Sequence, residues 1–422
     1  MLAIQKKLSN AFYVLLSLPA TAMGTALSIQ IAALSWILDT KYHLKIDEIG
    51  YVWAAGPLAG IFGQVIIGLI SDKAWFWGGR RRPFILIGGT VAAAMLLALP
   101  NIDKIQGFFG FGSMLGVAIF VALSLDLAIN ISFNPTRSII ADVTNEGIQR
   151  TKGYTWMQTI SGMFGVIAYV VGASLGNYFL IYSGAIFVLL FSIVPTFLIH
   201  ENKELVPEEK EKAEETKTEW GELFKLYFAH GFSWLGIQTM FVFMFAFIKF
   251  KMNIGDSASI GTIIAISFAV LNTVGFILPA FVLEPIAERI GRVKTHMICV
   301  GIMALGYLGI YLAGNAPLNM YILIGVAGIG WAAVVSLPFA IMSEKVNKAK
   351  MGFFMGIFNL SVVLPQLIVS LFIGKWIQGA EDKNIIFLIS TISLAISAVL
   401  WLFVKDTGVL RRQAEKIRVS GH

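Results

Sequence analysis

An acid and a base share one apolar stretch of this chain, LDLAINISFNPTRSIIAD from Leu125 to Asp142, with a spacing suited to handling a proton and a polar solute. Asp126 and Arg137 are 11 residues apart. In a helix that separation is about 1100° of turn and about 16.5 Å of rise, so the side chains point within about 20° of each other at different depths. A straight helix keeps them from pairing and aims both at one cavity, although Pro135, between them, removes a backbone donor and can bend the segment. A charge at the centre of a bilayer costs about 2.5–3.5 kcal/mol on insertion scales, so ionisable residues there mark ion and substrate pathways. Burial and a facing cation act on a carboxylic acid in opposite directions, which suits Asp126 to binding and releasing one proton. Arg137 offers five donors in a fixed fork that fits vicinal hydroxyls. The plainer alternatives are a structural hydrogen bond from Asp126 to a neighbouring helix and an Arg137 that merely reaches the headgroups.

The elements that position this pair must be membrane spans. Hydrophobic residues make up 57% of the 422 and charged ones 14%, with mean hydropathy +0.77. Soluble domains run near about 45–50% and about 25%. About 20 apolar residues cross a bilayer as helix, and twelve such stretches occur, near 12–37, 48–71, 83–100, 113–142, 152–176, 178–199, 227–249, 258–284, 294–313, 319–343, 352–378 and 384–404. The expected fold is therefore an all-α membrane protein of twelve transmembrane helices in two pseudo-symmetric six-helix bundles. Its parts are an N-terminal bundle over 1–200, a linker over 201–226, a C-terminal bundle over 227–406 and a tail over 407–422. Lys6 and Lys7 before an apolar run imitate a signal peptide, but a span of about 25 residues is too long for one, so it reads as an uncleaved first helix.

With the N-terminus inside, 24 of the 32 Lys and Arg fall in cytoplasmic segments and seven outside, with Arg137 in the membrane. Both termini are then cytoplasmic. This bias accounts for the net charge of +7, which therefore does not point to nucleic acid. Cys299, the sole cysteine, is read as an apolar filler and allows no internal disulfide. The long polar run ENKELVPEEKEKAEETKTE, Glu201 to Glu219, reads as a solvated cytoplasmic linker. The sequence carries no nucleophile motif or phosphate loop, and His43, His200, His230, His296 and His422 lack metal-ligand spacing, so neither an enzyme nor a metal or cofactor is expected.

Two loops repeat. After the second span come Gly68, Ser71, Asp72, Lys73, Gly79, Arg80, Arg81 and Arg82; after the eighth come Glu284, Pro285, Glu288, Arg289, Gly291 and Arg292. Gly79 and Gly291 are 212 residues apart, half the chain. In such tight loops an acid at one helix end can meet arginines and backbone dipoles at the next and latch the halves in one state; topology alone is the simpler reason for the arginines.

These loops resemble the signature of the major facilitator superfamily. More narrowly, GPLAG at Gly56 to Gly60, SDK at Ser71 to Lys73 and GRRRPFI at Gly79 to Ile85 resemble the sucrose/proton symporters (glycoside–cation symporters) and their bacterial maltose- and sucrose-type relatives. The fourth span is similar at Asp126, Asn130, Pro135, Arg137 and Asp142, followed by Arg150 and Thr151. The tenth and eleventh are similar at Leu337, Pro338, Phe339 and Ala340, then at Gly356, Asn359, Leu360, Pro365, Gln366, Ile368, Val369 and Ser370, and Glu284 matches an acid at the end of the eighth. The resemblance covers nearly the whole chain. It implies proton-coupled uptake of a disaccharide or similar α-glucoside such as maltose or sucrose, with Asp126 as proton carrier and Arg137 at the sugar site. It also assigns Gly68, Asp72, Lys73, Gly79, Arg80, Arg81, Arg82, Asp142, Arg150, Glu284, Glu288, Arg289 and Arg292 to gating. Where the plant proteins carry an acidic pair in the seventh span, this chain has Lys249 and Lys251, which leaves the sugar open.

Sugars need amides and aromatic faces. The preferred ligands are Gln30, Asn130, Gln158 and Gln238, with Trp234 and Trp331 for stacking, drawn from amides that also include Gln64, Asn134, Asn272, Asn359 and Gln366. Each amide alone also serves as interhelical glue, and tryptophans commonly form interface belts. The expected partners are a sugar, a proton (or sodium) and the lipid bilayer, in a monomer of a plasma membrane; the compact loops suggest a bacterial inner membrane. A drug/proton antiporter is the nearest other class, but its usual Gly-Pro in the fifth span is absent here, where Gly162, Gly165, Gly172 and Gly176 stand without proline. A sugar sensor that does not transport would read the same.

Overall fold

The computed structural model describes residues 3–61, 70, 75–110, 112–144, 148–201, 218–278, 282–343, 345–346 and 351–406. The described residues are almost entirely helical. Twelve helices carry the argument: α1 (Asn10–Thr40), α2 (Ile46–Trp53), α3 (Arg82–Ala98), α4 (Met114–Val143), α5 (Ile148–Leu175), α6 (Asn177–Leu198), α7 (Trp220–Ala246), α8 (Ser257–Leu278), α9 (Arg292–Ala313), α10 (Pro317–Ser343), α11 (Met351–Ile368) and α12 (Ile385–Trp401). Among the described residues ten helical stretches are long and apolar enough to cross a membrane, and α12 is a shorter apolar helix. The expected second span, 48–71, runs through residues 62–69, outside the described set. The architecture is that of a multi-span helical membrane protein, compatible with twelve crossings.

Local chemistry sets several ends. Ser9 caps α1 by accepting from the Phe12 amide at 3.3 Å, and Ser113 caps α4 through the Gly116 amide at 3.2 Å. Prolines sit inside α1, α4, α6, α10 and α11, which membrane helices tolerate because neighbours satisfy the freed carbonyls. In particular, Pro135 does not end α4. Beyond Pro365, α11 passes into a π-helical turn, Val369–Ile373.

The chain divides into two compact units: Met1–Glu208 with Ile254–Ala269, and Glu209–Asn253 with Val270–His422. In the first, α3 is clasped between α4 and α6. A Cβ on Gly88 would lie 2.0 Å from Ser132 Oγ and one on Gly89 2.1 Å from Ser192 Cβ, so only glycine permits this approach. The first turns of α8 join this unit: Trp36 donates to the Ser257 carbonyl at 2.6 Å, and Tyr169 stacks on Phe268 with centroids 5.7 Å apart. In the second unit α9 packs on α10 and α12, and a Cβ on Gly330 would meet Met303 Cβ at 2.3 Å.

Candidate functional site

The deep acid of α4 has a built environment. Asp126 is 6% exposed, and its Oδ2 accepts a hydrogen bond from Gln30 Nε2 of α1 at 3.0 Å. Gln30, 2% exposed, leaves its own Oε1 without a donor among the described residues. Asn130, one turn on, donates to the Asp126 carbonyl at 2.8 Å, which braces the backbone under the acid. The third wall is backbone: a Cβ on Gly56 would stand 3.3 Å from Asp126 Oδ2, so glycine leaves the carboxylate its room. Three of the expected residues therefore come together, with Gln30 serving the carboxylate. Gly56, in the sequence only one residue of a motif, proves to be part of the site; no pattern in the sequence pairs it with a residue 70 positions away.

Arg137 shares α4 but is exposed, with Cζ over the Phe133 ring at 5.5 Å. Among the described residues its guanidinium meets no carboxylate, which leaves its fork of donors open. Tyr154 of α5 donates to the Arg137 carbonyl at 3.3 Å. Gln158, one turn further along α5, is exposed and makes no hydrogen bond to Asp126 or Arg137 among the described residues.

The second unit gathers a different set. Trp234 of α7 and Trp331 of α10 meet edge to face, with centroids 6.0 Å apart and planes at 79°, a favoured aromatic geometry. Each indole N–H has a polar anchor: Trp234 donates to His230 Nε2 at 3.0 Å and Trp331 to Asn272 Oδ1 at 3.3 Å. Phe241 packs on Trp331 at 5.3 Å. On the same helix, buried Gln238 accepts from Gln366 Nε2 of α11 at 3.3 Å. Both tryptophans are half-buried.

The basic loop before α3 is folded around an acid that the sequence presents only as the start of the linker. Glu201 is 3% exposed; its Oε2 accepts from the amides of Arg80 and Arg81 at 2.8 and 2.9 Å, and its Oε1 from that of Arg82 at 2.9 Å. These are free amides of a helix start, where the backbone dipole favours an anion. Gly79 makes the approach possible, because a Cβ there would fall 2.6 Å from Glu201 Oε1. Beside this nest Arg81 Nε pairs with Asp142 Oδ2 of α4 at 3.0 Å, both nearly buried; the acid expected to meet these arginines, Asp72, lies outside the described residues. The second unit repeats the device more simply: Asp406, just after α12, accepts from the Val293 amide at the start of α9 at 3.0 Å, and Gly291 precedes α9 with φ of 96°. Glu288 and Arg289 are exposed and Arg292 half-buried. Gly68, Asp72 and Lys73 lie outside the described residues, as do the side chains of Arg150 and Glu284.

A helical membrane fold with a carboxylate buried deep in an apolar span, facing indoles and paired basic loops defines a multi-span transporter of two related units. The sequence model of the Major Facilitator Superfamily matches residues 16–370, and the chain belongs to that family. A sucrose transport protein of Arabidopsis thaliana, SUC4, is 25% identical over 78% of this chain and 76% of its own length. A general alpha-glucoside permease of Schizosaccharomyces pombe is 28% identical over 33% of this chain and 28% of its own. Among solved structures, the nucleoside transporter NupG superposes with TM-score 0.71 at 14% identity, covering 93% of this chain and 98% of that one. The inward-open xylose transporter XylE of E. coli gives 0.70 at 14% identity, covering 94% and 96%. These two likenesses concern the fold.

Proposed function

We propose that this protein is a secondary active transporter that takes up a disaccharide or related α-glucoside together with a proton, by alternating access, across a plasma membrane. The observation that carries the reading is the buried Asp126–Gln30 pair. A carboxylate changes from pure acceptor to donor when it takes a proton, and an amide is the neutral group able to match both states, giving N–H to the anion and accepting O–H from the acid. The Oε1 of Gln30, which has no donor among the described residues, supports this role. Asp126 then carries the proton. Within the second unit, the indole pair Trp234 and Trp331 and the Gln238–Gln366 pair offer the apolar faces and polar groups that a neutral, hydroxyl-rich ligand requires; within the first, the guanidinium of Arg137 meets no carboxylate among the described residues and is proposed as a sugar donor. The names of the curated relatives, sucrose transport proteins and an alpha-glucoside permease, support the sugar class.

In this reading the halves divide at the linker, and both termini lie in the cytoplasm with Glu201 and the basic loops, as the skew of Lys and Arg favours. The Arg81–Asp142 pair and the Glu201 nest hold the loop before α3 during the cycle. Reporter fusions at His422 and Glu209 should both read cytoplasmic; a periplasmic signal from either would reverse the orientation.

The direct test is uptake of radiolabelled sucrose and maltose into proteoliposomes under an inward proton gradient. Accumulation that a protonophore collapses is the expected result. A charge moved through about 100 mV is worth about 2.3 kcal/mol, enough for roughly fifty-fold concentration of a neutral sugar. Uptake indifferent to the proton gradient, or accumulation driven only by sodium, would refute proton coupling; a protein that binds sugar without moving it would be a sensor.

A further inference from the structure

We propose that His230 is a positioning residue for sugar recognition: it fixes the plane of Trp234, and through it the edge-to-face pair with Trp331. The inference rests on the transport reading above and deepens it. In the sequence His230 is inconspicuous, since it lacks any metal-ligand spacing. Its position one helical turn before Trp234 on α7 is what matters.

The indole nitrogen of tryptophan only donates. The 3.0 Å contact between Trp234 Nε1 and His230 Nε2 therefore requires an unprotonated Nε2, and the neutral imidazole must carry its hydrogen on Nδ1. That Nδ1 is buried in a residue 1% exposed and has no partner among the described residues. Buried polar groups are rarely left unpaired, so an imidazole kept in this tautomer points to a task at its other nitrogen. The ring cannot swing to relieve the orphan, because Phe358 of α11 stacks on it with centroids 4.9 Å apart and planes at 16°. The indole is thus held by a bond along α7 whose acceptor is itself clamped from α11. Trp331, at 6.0 Å, is held in turn by Asn272 of α8. Four helices fix two ring planes, the kind of rigid support a stacking surface needs to bind at low ordering cost.

A simpler role for His230, filling space in the core, predicts different results. His230→Leu keeps bulk but has no acceptor; His230→Gln restores one on a flexible arm; Trp234→Phe removes the donor while keeping a ring. By titration of purified protein with sucrose and with maltose, His230→Leu should weaken binding of the transported sugar about tenfold, the order of one lost hydrogen bond, and His230→Gln should recover most of it. In the Trp234→Phe background, where no indole N–H exists, adding His230→Leu should cost less than about twofold, the coupling that marks two residues acting as one. Equal losses in both backgrounds, or wild-type affinity in His230→Leu, would overturn the proposal.

A readout free of ligand guards against misfolding and against a wrong sugar. In the ¹H–¹⁵N spectrum of indole-labelled protein, the cross-peak that Trp234→Phe removes should move upfield in His230→Leu and stay near its wild-type position in His230→Gln, while the other indole signals hold. An unmoved peak shows that the bond does not form and refutes the inference. If the wild type binds neither sugar while the peak moves as expected, the sugar reading falls and the fixed indole stands.

Discussion

The two units carry different chemistry. In the first, α4 places a carboxylate and a guanidinium within an apolar helix, and the carboxylate is enclosed by an amide, a backbone carbonyl brace and a glycine. In the second, the charged residues of the helices α7 to α12 lie toward the helix ends, at Glu222, Lys225, Arg292 and Lys294, and the middle is occupied by indoles, amides and a neutral histidine. A group that changes charge needs a small, closed setting with a partner able to follow it. A group that binds a neutral ring needs broad, rigid faces and does not need charge at all. The contrast teaches that two units of one repeated fold can carry different chemistry, an enclosed carboxylate in the first and broad aromatic and amide faces in the second.

The largest expected effect lies in the first unit. Asp126→Asn should abolish accumulation against a gradient while leaving counterflow of preloaded sugar, since the amide imitates the protonated acid; accumulation at the wild-type level would separate Asp126 from coupling. Next, Trp331→Ala should lower sugar affinity by at least about tenfold, in line with the loss of an aromatic contact. Because Asn272 and Trp234 lose a partner with it, titration should be accompanied by a melting curve, and unchanged affinity in a folded protein would remove Trp331 from the site. Arg137→Lys should reduce affinity by a smaller factor, about fivefold, because lysine keeps the charge and loses the fork. An arginine that merely reaches headgroups would tolerate the change.

The basic loops sharpen the comparison further. Both units close the start of a helix with an acid that follows a later one, Glu201 after α6 and Asp406 after α12, but Glu201 takes three amides and Asp406 one. Hydrogen bonds to a charged acceptor are worth about 1.5–3 kcal/mol each. Glu201→Ala should therefore lower the melting temperature in detergent more than Asp406→Ala does, by about 6 °C against about 2 °C. Equal shifts would mean that the amides of Arg80, Arg81 and Arg82 find other acceptors.

A smaller effect is expected outside the spans. The amide of Asn384 at 2.9 Å, with Lys251 Nζ at 2.9 Å, holds the Asp382 carboxyl below its ordinary value of 3.8. A lowered carboxyl pKa stabilises the fold above the unfolded value and loses that contribution as the pH falls through the folded one. Asp382→Asn should therefore lower the melting temperature by no more than about 2 °C at pH 7, since the site is largely exposed, and the difference should vanish in acid. A difference that grows toward low pH would contradict the assignment.

Much of this is legible in the chain. Composition and twelve apolar stretches define the membrane class, and Asp126 stands out because an acid among apolar residues is rare in a span and costly unless it has a task there. The arginine loop is legible as a repeat, and Asp142 as part of the fourth-span resemblance, but not their pairing. What escapes depends on proximity that no local pattern encodes. Gly56 and Gln30 come to Asp126 from other parts of the chain, and Glu201 reads as the first residue of a charged linker until the fold gathers around it three amides 119 to 121 residues away. His230 is the intermediate case. Its spacing from Trp234 is visible, but a histidine with no second ligand suggests nothing until its burial and its orphan nitrogen are known.

The division of labour comes down to one ratio, protons moved per sugar, recorded in proteoliposomes with an internal pH dye and labelled sucrose or maltose. Wild type and Trp331→Ala should give the same ratio, the second at a higher sugar concentration, whereas Asp126→Asn should exchange sugar with no accompanying proton flux. A normal ratio in Asp126→Asn, or a ratio that falls in Trp331→Ala, would contradict the proposed assignment of coupling to Asp126 and of sugar recognition to the indole pair.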